Sequence, residues 1–240
     1  MIRPPPRATQ EVSSEASEVY KGQSLYTVTQ TGSAAVGTTT TITFASAKSL
    51  AGKTIVVSYT GTVTKDALTD LGGSVNNKAM ITTNGGASGE GKTESKTYGF
   101  QFKKIGVDND ANDLAGAQFV VKKTDGKFLK QDAESKAWSS VDDQTSATVF
   151  TSGADGLVQF KGLAAGDYTV METNAPNGYA QNFKVTFDVS IAENGTVTFK
   201  QDLLHQVTLP TAYQIATVKN VKSITQLPLT GAAGTMLFSV

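Results

Sequence analysis

Cysteine is absent from the 240 residues, which excludes disulfides, zinc–thiolate sites and cysteine nucleophiles. Histidine occurs once, as His205, so a Ser–His–Asp triad or a multi-histidine metal centre would have to use that single ring. It lies in Leu-Leu-His-Gln-Val, a strand-like stretch where a surface or sheet-edge histidine is the expectation. Neither charge sign is in excess, because 21 Lys plus Arg balance 21 Asp plus Glu. A chain with no basic stripe lacks the electrostatic footprint of a nucleic-acid binder or of a polybasic membrane-surface module. No stretch approaches the ~20 apolar residues of a membrane span. The start, Met1-Ile-Arg-Pro-Pro-Pro-Arg7, shows no apolar run after its charge, so a signal peptide is not visible. No motif calls for a metal or cofactor. The acidic run Asp108-Asn-Asp-Ala-Asn-Asp113 lacks the Gly and distal Glu of an EF-hand loop and reads as a hairpin turn. Trp138 reads as partly buried packing.

Helical periodicity of useful length is missing too. In its place are short runs of Thr, Val, Ile, Tyr and Phe broken by Gly, Asn and Asp, the composition of strands and turns. Residues 1–22, rich in Pro, Ser and Glu, read as a disordered or truncated lead-in. Within 23–96, strand candidates are Thr41–Phe44, Ile55–Val63 and Met80–Thr83. The Gly-rich, nearly apolar-free stretch Asn84–Thr97 reads as a long hairpin loop leading to the next domain boundary. From 97 the alternation sharpens, through Phe100–Lys104, Ala117–Val121, Thr148–Phe150, Leu157–Phe160, Tyr168–Met171, Phe183–Val189, Val197–Phe199 and Ala212–Val218. Seven or eight short strands at this spacing predict a β-sandwich over 97–222. The tail, 223–240, changes character again.

Two motifs carry chemistry. The first is Leu227-Pro228-Leu229-Thr230-Gly231, followed by small residues and Met-Leu-Phe. Proline fixes φ and removes a donor, so the peptide is presented extended, and Gly231 leaves the Thr230 carbonyl open to a nucleophile. This resembles the sorting signal of sortase transpeptidases. The resemblance implies cleavage between Thr230 and Gly231 and transfer of the acyl group to an amine. It also implies a longer protein, exported and anchored to the cell wall, whose signal peptide and full membrane span are missing from this chain.

The second is Tyr168-Thr-Val-Met-Glu-Thr-Asn-Ala-Pro-Asn-Gly-Tyr179. Strand parity puts Glu172 on the face of Tyr168 and Val170. A carboxyl on a core face needs a reason, since burying an unpaired charge is costly. The run resembles the E-box of Cna B-type domains in sortase-assembled pilins of Gram-positive bacteria, and the resemblance extends from about 97 to 222. Residues 23–96 are similar, less specifically, to the second half of a Cna A-like pilin domain. The implied fold class is therefore all-β, with tandem immunoglobulin-like β-sandwiches of which the first is incomplete. The resemblance also implies a spontaneous Lys–Asn isopeptide bond, formed with release of ammonia while Glu172 shuttles protons. Lys104 continues the face of Phe100 and Phe102 and is the expected amine, with Lys103 the neighbouring alternative. Asn220, on the face of Val218, is the expected amide. Asn77 or Asn84 would be the orphaned amide of the incomplete domain.

The implied function is that of a structural pilus subunit, and the alternative is the stalk of an anchored adhesin that binds a host ligand. Expected partners are a sortase, other pilin subunits or a peptidoglycan precursor, and host surface ligands. No enzyme is expected beyond single-turnover self-crosslinking.

Overall fold

The computed structural model describes residues 26–33, 37–53, 56, 63, 65–83, 86–107, 112–212 and 214–227. By compactness the chain divides at 64/65. In the first unit, β1 (Tyr26–Ser33) and β2 (Gly37–Phe44) form an antiparallel hairpin with Tyr26 opposite Phe44, and a 3-10 turn follows at Ala47–Leu50. The strand expected at Ile55–Val63 lies outside the described residues except at Val56 and Val63, as does the whole lead-in 1–22.

The second unit starts with one short helix, α1 (Lys65–Leu68). Strands β3 (Gly72–Thr83) and β4 (Gly86–Gly106) follow, then β5 (Gln118–Lys123), β6 (Phe128–Gln131), β7 (Trp138–Val141) and β8 (Phe150–Thr151). The series ends with β9 (Leu157–Leu163), β10 (Gly166–Asn174), β11 (Thr186–Ile191), β12 (Val197–Phe199), β13 (Val207–Thr208) and β14 (Ala216–Asn220). One sheet has the order β12-β11-β10-β5-β6-β7, with β8 on β5; the other runs β13-β14-β4-β3, with β9 on β4. Apolar residues from both sheets meet in one core. Phe102 lies edge-on to Phe119 and Phe187, with centroids 5.1 and 5.3 Å apart, a favoured aromatic geometry. The fold is all-β and immunoglobulin-like. Among the described residues no helix is long and apolar enough to cross a membrane.

The stretch 86–97, expected as a loop, is strand. It pairs with β3 from Gly72↔Tyr98 to Thr83↔Gly86. The period-2 pattern that explains this is one of charge rather than hydrophobicity. Lys78, Glu90, Lys92, Glu94 and Lys96 share one face, where Lys78 and Lys92 bracket Glu90 at 2.7 and 3.0 Å. The opposite face, with Asn77, Ala79, Ile81, Gly91 and Thr93, carries no charge. Strand β4 therefore passes through position 96/97 without a break. The order of strands in the core sheet brings the chain's Lys104 and Asn220 side by side, because β14 runs parallel to β4 in the register Val218↔Lys104 and Asn220↔Gly106.

Candidate functional site

Lys104 follows Tyr98, Phe100 and Phe102 on the inward face of β4, and its side chain has no exposure. Its backbone is tied at both groups: its N–H donates to Gly156 O at 2.8 Å and its carbonyl accepts from Leu114 N at 2.9 Å. Lys103 points outward and pairs with Asp113 at 2.7 Å. Strand alternation turns Lys104 inward and Lys103 outward.

Glu172 stands near the end of β10, where pairing with β5 slips between Glu172 and Asn174. Such irregularities re-aim side chains. Its carboxyl is fully enclosed. Oε2 accepts from Val185 N at 3.0 Å and from Asn220 Nδ2 at 3.0 Å, and Oε1 lies 3.3 Å from Lys104 Nζ. Asn220, the last residue of β14, is likewise buried. One carboxyl thus touches both the amine of the first core strand and the amide of the last.

This cluster is under-satisfied. Lys104 Nζ, Glu172 Oε1 and Asn220 Oδ1 are all buried without a hydrogen-bond partner among the described residues. A buried ion pair with open valences repays its desolvation poorly. Burial pushes the Lys104 amine down from its ordinary 10.5 to about 8, against the opposing pull of Glu172 and, more weakly, of Asp202. The Phe119 ring, 5.6 Å from Nζ, is a further neighbour.

Asp202 escaped the sequence reading. It is buried, accepting from Leu204 N at 3.1 Å and Val207 N at 2.9 Å. Its only sequence signal is an Asp at the head of a turn, which is common in any β protein. His205 is exposed and takes φ 51° in that turn. Asn77 is exposed on β3, and Asn84 lies outside the described residues. Of the sorting motif, Leu227 is buried after the 3-10 turn Ile224–Gln226, whereas Pro228, Leu229, Thr230 and Gly231 lie outside the described residues. So do residues 108–111 of the acidic turn. Among the described residues no cluster of three or more acidic or histidine ligands could hold a metal.

Residues 99–203 match the family described as SpaA, the prealbumin-like fold domain. Among solved structures, the group B streptococcus pilus 2b backbone protein matches with a TM-score of 0.55 and 19% identity, over 93% of this chain and 84% of that one. That likeness carries the fold. The full-length major pilin RrgB of Streptococcus pneumoniae matches with a TM-score of 0.39 and 18% identity, over 78% of this chain and 42% of that one. The shaft pilin SpaA of Lactobacillus rhamnosus GG matches at 0.37 and 25%, over 56% and 50%. Scores this low carry no structural argument. No curated protein matches the sequence significantly.

Proposed function

We propose that this chain is a structural subunit of a sortase-assembled, cell-wall-anchored pilus, hardened by an isopeptide bond between Lys104 and Asn220. The observation that carries the reading is the buried Lys104–Glu172–Asn220 cluster, which joins the first and last core strands through one carboxyl. The prealbumin-like match and the fold shared with a pilus backbone protein support it.

The chemistry balances with the groups present. The neutral Lys104 amine attacks Asn220 Cγ, so a Nζ–Cγ bond forms and the Cγ–Nδ2 bond breaks. One amine proton passes through Glu172 to Nδ2, which leaves as ammonia. Glu172 must enter as the acid. The amide then turns so that Oδ1 faces the carboxyl proton, which polarises the carbonyl. Burial favours the uncharged amine of Lys104, because a low dielectric penalises the ammonium. The product is a neutral amide, so the reaction removes an amine whose protonated form is costly to bury. No cofactor takes part.

In this reading the Cna B-type pattern covers residues 97–222, and sortase takes the Leu227–Gly231 segment as substrate. The Thr230 acyl group is passed to an amine of a neighbouring pilin subunit or of a peptidoglycan precursor at the cell surface. Intact mass spectrometry of the parent and of Glu172→Ala tests the crosslink. The parent is expected to be lighter than its sequence by one ammonia, with Lys104 joined to Asn220 in peptide maps, and the variant to keep its full mass. Full mass in both would end the crosslink reading. Incubation with a sortase and a small amine should release the residues after Thr230; no release would remove the anchoring half.

A further inference from the structure

The chain between β10 and β11 closes over the end of the sandwich where Asn220 lies. Ala175 N donates to Gln181 Oε1 at 3.0 Å and Gln181 Nε2 donates back to Ala175 O at 2.9 Å, pinching residues 175–181 into a closed loop. Within it Tyr179 N donates to Pro176 O at 3.1 Å across a turn with Gly178 at φ 85°. Ala180 N donates to Val221 O at 2.9 Å, fastening the loop one residue beyond Asn220. The phenol end of Tyr179, led by its hydroxyl, then meets Gly106. A Cβ at Gly106 would stand 2.4 Å from Tyr179 Oη and 3.3 Å from Cζ. Gly106 is the register partner of Asn220, two residues beyond Lys104 on the same strand. The Lys222 ammonium lies 5.5 Å from the ring centroid.

Gly106 closes β4, and glycine in a strand often marks a close approach of another group or an unusual backbone. Gly106 is not among the residues with positive φ. Its missing side chain therefore answers to the phenol end of Tyr179 rather than to its own backbone. The loop so seated begins directly after the strand that carries Glu172.

We propose that Tyr179, seated on Gly106, is a positioning residue for the crosslinking reaction, clamping the loop after β10 onto the β4–β14 end and closing the cluster to water. This rests on the isopeptide reading above. The groups that face Lys104 are Glu172 from β10, Asp202 from the turn before β13, Asn220 from β14 and the Phe119 ring from β5. With the clamp displaced, water reaches these groups. The amine then holds its proton to higher pH, and Glu172 loses its fixed aim.

The test follows crosslinking in the full chain, synthesised in vitro and sampled by intact mass against time at several pH values. Gly106→Ala is expected to slow ammonia loss by about ten- to a hundred-fold, since misplacement by about 1 Å can cost about a hundred-fold in rate. It should also move the half-maximal pH upward, which a merely structural loss would not do. Adding Tyr179→Phe to Gly106→Ala removes the clashing Oη and should restore rate and pH profile; this coupling is a double-mutant cycle. Tyr179→Ala, which adds no clash, guards against misfolding of the glycine variant and should reproduce its slow, alkaline-shifted reaction. Parent-like kinetics in Gly106→Ala and Tyr179→Ala would overturn the proposal while leaving the crosslink intact. So would failure of the Phe substitution to rescue a folded Gly106→Ala. A parent that never loses ammonia would overturn both.

Discussion

Lys104 is buried where an ammonium is poorly tolerated, and its titration makes that visible. In an Asn220→Ala chain, which cannot react, the amine stays free. Below pH of about 8 both folded and unfolded chains hold the proton, and the folded chain bears the cost of enclosing it. Between about 8 and the ordinary 10.5 the folded chain has released the proton while the unfolded chain still holds it. Stability therefore rises with pH through that window. Urea midpoints of Asn220→Ala should climb from pH 8 to pH 10, and the same variant carrying Lys104→Met should lose most of that climb. A flat profile in the first variant would mean that the amine is better solvated than its burial indicates.

Strand β4 holds the second unit together: its first half pairs with β3 and its second half with β9 and β14. The handover occurs at Gly99, where the β4–β9 register shifts between Tyr98 and Phe100. A Cβ at Gly99 would stand 2.4 Å from Phe160 O and 3.0 Å from Leu71 Cα. Both are backbone atoms that cannot swing away, so Gly99→Ala must push strands apart. A cost of about 1–3 kcal/mol, as for other overpacked sites, is expected in equilibrium urea unfolding. Substitution on the exposed ribbon is a contrast: at Lys92, whose partner Glu90 also pairs with Lys78, Lys92→Ala should shift the midpoint little, since exposed ion pairs contribute at most about 1 kcal/mol.

A bond from Lys104 to Asn220 would join neighbouring parallel strands at one end of the core sheet. Tension entering on β4 and leaving after β14 would then pass through that bond, and residues 105–219 would be shielded from it. In single-molecule stretching the parent should show no extension from that segment, whereas Glu172→Ala should unfold and lengthen by it. On the loop-entropy account the closed loop also stabilises the folded chain by about 4–5 kcal/mol. Equal extension in the two chains would rule out a covalent path.

Much of this was legible from the residues. The all-β class followed from turn spacing and β-branched content, because those depend on local sequence. The inward set Phe100, Phe102, Lys104 and the pair Val218, Asn220 followed from period-2 parity, which the backbone imposes on any strand. The ribbon over 86–97 was missed because its alternation is of charge, with little apolar content to reveal it. Which strands become neighbours is not a local property. The parallel contact of β14 with β4, the seat of Tyr179 on Gly106 and the approach of Asp202 each join residues far apart in sequence, and core packing selects them. Sequence by itself determined which side chains could face inward and which chemistry they offer. Only the tertiary structure decided that an amine, a carboxyl and an amide share one buried cluster, because burial and distance arise when the two sheets close on each other.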